Sequence, residues 1–93
     1  MNKIKYLNAN DLPMVNNLIN LEMEDFEKFS KIGWSFTNIS SHLKKNNNLS
    51  IGYINNSKLY GVLIGEKLIN NFEYNLDIHI MFVSKKLRKK NVG

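Results

Sequence analysis

Asp77-Ile78-His79-Ile80-Met81-Phe82-Val83-Ser84-Lys85-Lys86-Leu87-Arg88-Lys89-Lys90-Asn91-Val92-Gly93 is the stretch whose reading decides the fold. Its first seven residues alternate as a β-strand does, and Ser84 onward reads as a turn opening toward a helix. A loop that follows a strand and presents successive backbone N–H groups at a helix N-terminus is an anion site. Those donors lack partners, and the helix dipole favours negative charge there. Lys85, Lys86, Arg88, Lys89 and Lys90 strengthen such a site for a polyphosphate. They are five of the thirteen basic residues; the other eight lysines face eight carboxylates, so the net charge of +5 gathers at this end. Taken alone such a run is a solvated tail, but its place directly after a strand favours a ligand.

Upstream of this strand, Asn70-Asn71-Phe72-Glu73 makes a turn and Tyr74-Asn75-Leu76 feeds the strand. Leu49–Ile54 and Leu59–Ile69 read as two further strands, joined by a hairpin turn at Asn55-Asn56-Ser57-Lys58. Near the start, Ile4–Leu7 is a short strand, and Asn8-Ala9-Asn10-Asp11 supplies a turn and an N-cap, with Pro13 in the first helical turn. Leu12, Val15, Leu18, Ile19, Met23 and Phe26 recur at three- and four-residue steps, predicting one helix to about Phe29. Gly33 ends it, and Ser35 caps a second helix with Phe36, Ile39 and Leu43 on its apolar face. His42 on that helix is expected at the surface and carries no function. The order is β-α-α-β-β-β. Three successive strands with short turns imply an antiparallel meander, with the two helices over one face, an α+β fold.

Ninety-three residues make one small domain, of a size that buries a little over roughly 60% of its unfolded surface. Hydrophobic content of 43% and aromatic content of 11% argue against disorder. A mean hydropathy of −0.33 without a long apolar run argues against a membrane span. No cysteine is present, which excludes disulfides, thiolate metal sites and cysteine nucleophiles. The N-terminus lacks the apolar core of a signal peptide, so a cytoplasmic location is expected. Glu22, Glu24, Asp25 and Glu27 form an acidic patch. No His or Cys stands near it at ligand spacing; it reads as a solvated helix flank or as a contact for a basic substrate, and no metal is expected.

Arg88-Lys89-Lys90-Asn91-Val92-Gly93 resembles the Q/R-x-x-G-x-G/A signature of the GCN5-related N-acetyltransferases, which follows a strand ending in a small hydrophobic triplet, here Met81-Phe82-Val83. Asn91 stands where the family has its first Gly; Asn is the residue that best tolerates the left-handed conformation after Gly. Trp34-Ser35 adds to the likeness, since acetyltransferases of the ribosomal-protein-alanine type carry such a pair between their first two helices, beside the peptide substrate. The resemblance implies that Met81, Phe82 and Val83 offer backbone groups to the pantetheine arm and acetyl carbonyl of acetyl-CoA. It implies that Arg88, Lys89, Lys90, Asn91, Val92 and Gly93 wrap the pyrophosphate.

The activity implied is direct attack of an amine, or of a protein N-terminus, on acetyl-CoA, with a base to take a proton from the ammonium and an acid for the thiolate. Asp77 and His79 are the candidates within this chain. They alternate with Leu76, Ile78 and Ile80 and so are expected to share the more polar face of their strand. The family's domain runs on past its signature, so residues 1–93 are expected to form an N-terminal half, truncated at the start of the signature helix. Such a half is expected to be inactive alone, and to self-associate or pair with a separately encoded second half. Two readings of another class stand beside the enzyme: a non-catalytic remnant or interaction fragment, and a small RNA- or ribosome-associated module using the basic tail. No aromatic residues interleave with the tail lysines, which speaks against the last.

Overall fold

A computed structural model describes residues 2–70 and 72–86. β1 (Asn2–Leu7) runs into a capped turn, where Asn8 Oδ1 accepts from the Asn10 N–H at 2.8 Å and Asp11 Oδ2 accepts from the Asn8 N–H at 2.9 Å. That reciprocal pair satisfies donors that would otherwise be orphaned at a helix start. Asp11 also takes the Lys5 ammonium at 2.7 Å, pinning the turn to β1. Pro13 then lies in the first turn of α1 (Leu12–Leu21), where its missing N–H is no loss.

The single helix expected to Phe29 is broken in two. Glu22 leaves helical geometry (φ −122°, ψ 46°), and α2 (Met23–Lys31) starts beyond it. The apolar period runs through the break, so periodicity could not reveal it. Phe26 is buried as expected, whereas Met23 is 67% exposed. α3 (Phe36–Leu43) follows with Ser35 as its N-cap.

β2 (Ser50–Asn55), β3 (Lys58–Asn70) and β4 (Glu73–Val83) form the meander. β1 pairs with β2, so the antiparallel sheet has the order β1-β2-β3-β4, with β4 at an edge among the described residues. Asn56 (φ 52°) and Ser57 (φ 66°) both hold positive φ between Asn55 and Lys58. Two such residues twist a tight hairpin the way its strands twist.

All three helices lie on one face. Leu7, Val15, Leu18, Phe26, Ile39, Leu43, Ile54, Val62, Ile64, Ile80 and Phe82 are among the buried residues between them and the sheet. In β4 the pairing shifts: Ile64 lies opposite Ile80, yet Gly65 lies opposite Ile78, so His79 is an extra residue in the ladder. A bulge of this kind re-aims the side chains beyond it. It overturns the expected alternation, since Leu76 and Ile78 are about half exposed while Ile80 is buried. His79, Ile80 and Phe82 therefore all turn toward the helices.

Candidate functional site

The bulge delivers His79 to a cluster built from four separate elements. Past the end of α2, the Gly33 N–H donates to Ser30 O and the Trp34 N–H to Phe29 O at 2.8 Å. This double bond pattern closes a helix only if the residue after the cap is left-handed, and Gly33 has φ 93°. The turn carries Trp34 across to β4, where its ring stacks on His79 with centroids 4.8 Å apart and planes 26° from parallel.

Ser35, the next residue, starts α3 by a reciprocal cap with Asn38: the Asn38 N–H donates to Ser35 Oγ at 3.4 Å and the Ser35 N–H to Asn38 Oδ1 at 3.2 Å. Two turns later α3 places His42. The expectation that His42 is exposed is wrong; only 2% of it is accessible. Its Nε2 lies 2.6 Å from Gly65 O, and a carbonyl can only accept, so Nε2 carries the hydrogen. The ring meets Trp34 and His79 edge-on, at 5.4 and 5.6 Å between centroids.

β3 brings Glu66, the residue that sequence reasoning missed. Its Oε1 lies 2.6 Å from His79 Nε2, and its Oε2 accepts from Asn47 Nδ2 at 2.5 Å. Asn47 is itself held, because its carbonyl accepts the Lys67 N–H at 2.7 Å. The hydrogen bond from His79 holds the Glu66 carboxyl below its ordinary range; burial opposes this, and the charges of His79, His42 and Lys45 assist it. Nothing in the spacing of residues 66 and 79 signals the contact, which exists only through strand pairing.

Of the two candidates for proton transfer, His79 lies within this cluster with 22% of its side chain exposed. Asp77 does share its face, but Asp77 Oδ2 is 4.0 Å from His79 Nε2 and its side chain is half exposed. One nitrogen or carboxylate oxygen from each of His42, Glu66 and His79 falls within 4.8 Å of the other two. The ring nitrogens identified above are already engaged with Gly65 O and Glu66.

The triplet Met81-Phe82-Val83 ends β4. Met81 and Val83 point to the face away from the helices, and Phe82 packs on Phe26 at 4.8 Å. Beyond it, Glu22 Oε1 accepts from the Lys85 N–H at 2.9 Å and from Ser84 Oγ at 3.4 Å. Of the acidic patch, Glu22 thus ties the end of β4 to the α1–α2 break. Glu24, which also pairs with the Lys85 ammonium at 3.6 Å, and Glu27 line an open cavity of about 420 Å³ with Met23, Phe26, Trp34 and Phe36. Arg88, Lys89, Lys90, Asn91, Val92 and Gly93 lie outside the described residues, so the expected pyrophosphate loop has no geometry here. No helix among the described residues is long and apolar enough to cross a membrane.

This architecture has relatives among solved structures. An aminoglycoside acetyltransferase from an uncultured soil metagenomic sample, in complex with sisomicin, superimposes with a TM-score of 0.69 at 23% identity, over 99% of this chain and 62% of its own. A ribosomal-protein-alanine N-acetyltransferase from Brucella melitensis biovar Abortus 2308 gives 0.72 at 16% identity, over 99% and 64%. A probable acetyltransferase from Staphylococcus epidermidis ATCC 12228 gives 0.68 at 17% identity, over 99% and 60%. The fold is that of the N-terminal part of the GCN5-related N-acetyltransferases, as the resemblance implied. The chain spans 60 to 64% of the length of these structures. No protein-family model matches it, and neither does any curated protein.

Proposed function

We propose that residues 1–93 form the N-terminal part of an acetyl-CoA-dependent N-acetyltransferase domain that acts on an amine, a protein N-terminus among the options. The observation that carries this reading is the alignment of 99% of the chain with solved acetyltransferases. Support from the site comes at β4. As an edge strand among the described residues, it has backbone N–H and C=O groups without a strand partner on one side. Those of Met81, Phe82 and Val83 suit a ligand that is itself a string of amides, as the pantetheine arm is. Acetyl-CoA would supply an activated thioester; the chain would bind and orient it along β4, with Arg88 through Gly93 taking the pyrophosphate. Removal of the ammonium proton from the amine falls to His79 or Asp77.

Amide NMR spectra with and without acetyl-CoA test the proposal. Shifts confined to Met81–Val83 and Arg88–Gly93, and lost on deleting Gly93, are expected. Spectra unmoved by the ligand would overturn it.

A further inference from the structure

We propose that Glu66 is a positioning residue that fixes His79 as its Nε2–H tautomer, making His79 Nδ1 the proton acceptor of the site and leaving Asp77 outside it. The inference rests on the acyl-transfer reading for its purpose, though not for its geometry.

Distance decides between the two carboxylates. Glu66 Oε1 is 2.6 Å from His79 Nε2, and Asp77 Oδ2 is 4.0 Å away. The first is a hydrogen bond to an ionised acceptor, whereas the second is too long to be one. Glu66 is also the better anchored, since Asn47 Nδ2 occupies its other oxygen. A carboxylate can only accept, so Nε2 of a neutral His79 carries the hydrogen and Nδ1 carries the lone pair. This is the logic by which a third group orients a general base.

The ring has little freedom to leave that arrangement. Trp34 covers one face at 4.8 Å, and the His42 ring lies nearly perpendicular to it at 5.6 Å. His42 is in turn locked by Gly65 O, the carbonyl at the bulge. Proton transfer balances simply. An N–H bond of a substrate ammonium breaks, its electron pair remains on nitrogen as the nucleophile, and the proton bonds to Nδ1. The imidazolium then lies against the Glu66 carboxylate and the face of the Trp34 ring, both of which stabilise a cation. It returns the proton to solvent or to the departing thiolate.

Long-range proton–nitrogen correlation spectra of the 15N-histidine-labelled 93-residue chain test this. Neutral His79 is expected as the Nε2–H form in the wild type and in Asp77→Asn. Glu66→Ala should give a mixture of tautomers, and Glu66→Gln, which keeps an acceptor oxygen, should restore the single form. An Nδ1–H form in the wild type would overturn the proposal, as would a change in Asp77→Asn with none in Glu66→Ala. Should Glu66→Ala fail to fold, the Glu66 carboxyl carbon provides the second measurement. Its titration midpoint is expected to rise in His79→Leu, and an unchanged midpoint counts against the pair. None of these readouts needs turnover. The expected tautomers with no response to acetyl-CoA would sink the transfer reading and leave the pair standing; the reverse pattern would do the opposite.

Discussion

Glu66 is the residue on which acid sensitivity of this fold should turn. Its folded carboxyl is held below the ordinary value near 4.5, chiefly by the hydrogen bond from His79. A group with a depressed folded pKa contributes stability above its unfolded value, and that contribution is lost as pH falls through the folded one. The neighbours are His79, His42 and Lys45, all lowering the value, and the half-exposed Asp77 beside His79. We therefore expect the urea midpoint of the wild type to fall as pH drops below the ordinary glutamate range. In His79→Leu the same decline should be shallower, and equal slopes would refute the linkage. Only part of this was legible in the sequence. His79 could be singled out because a histidine on a strand that leads into a basic loop is chemically conspicuous. Glu66 and His42 could not, because their partners, His79 and the Gly65 carbonyl, stand 13 and 23 residues away and meet only through the folded sheet.

Among the elements, those with local signals were readable and those shaped by tertiary contacts were not. Asn8 and Ser35 announce helix starts by their own capping chemistry, and Asn56-Ser57 announces a hairpin. The break at Glu22 has no such signal: its carboxylate reaches Ser84 and Lys85, more than sixty positions away, across a periodicity that favours continuing the helix. The bulge in β4 is equally silent in residues 77–83, although its partner strand offers a clue in Gly65. A Cβ at Gly65 would sit 3.0 Å from Asp77 O and 3.1 Å from Leu49 O, both backbone atoms of paired segments. Backbone cannot yield there as a side-chain tip can. We expect Gly65→Ala to lower stability by about 1–3 kcal/mol, the range for overpacking. It should also disturb the His42 contact to the same carbonyl. Urea denaturation gives the first effect and the His42 ring resonances the second. By contrast, a Cβ at Gly52 meets only the side-chain tips of Leu59 and Leu7 within 3 Å.

At the scale of the whole molecule the two faces of the sheet are unequal in cover but not in character. One is packed under three helices. The other presents Ile4, Tyr6, Tyr74, Ile78, Met81 and Val83, each at least 41% exposed, and no described helix lies over it. Apolar surface left uncovered on one face of a sheet ordinarily marks an interface, and the open edge of β4 is a template for strand pairing. Opposing association is the net charge of +5, which makes copies repel. The balance gives the prediction a sign. Salt screens the repulsion over about 8 Å at physiological ionic strength while leaving apolar contact intact. Sedimentation velocity should therefore show mass rising with protein concentration and rising further with added salt. The double variant Ile78→Lys with Met81→Lys, which puts two charges on the exposed face along β4 without touching the buried core, should remain monomeric under the same conditions. A wild type that stays monomeric in high salt would mean that this face is not sticky enough to hold a partner. Tyr6 and Tyr74 would then be acting as a sufficient polar screen for it.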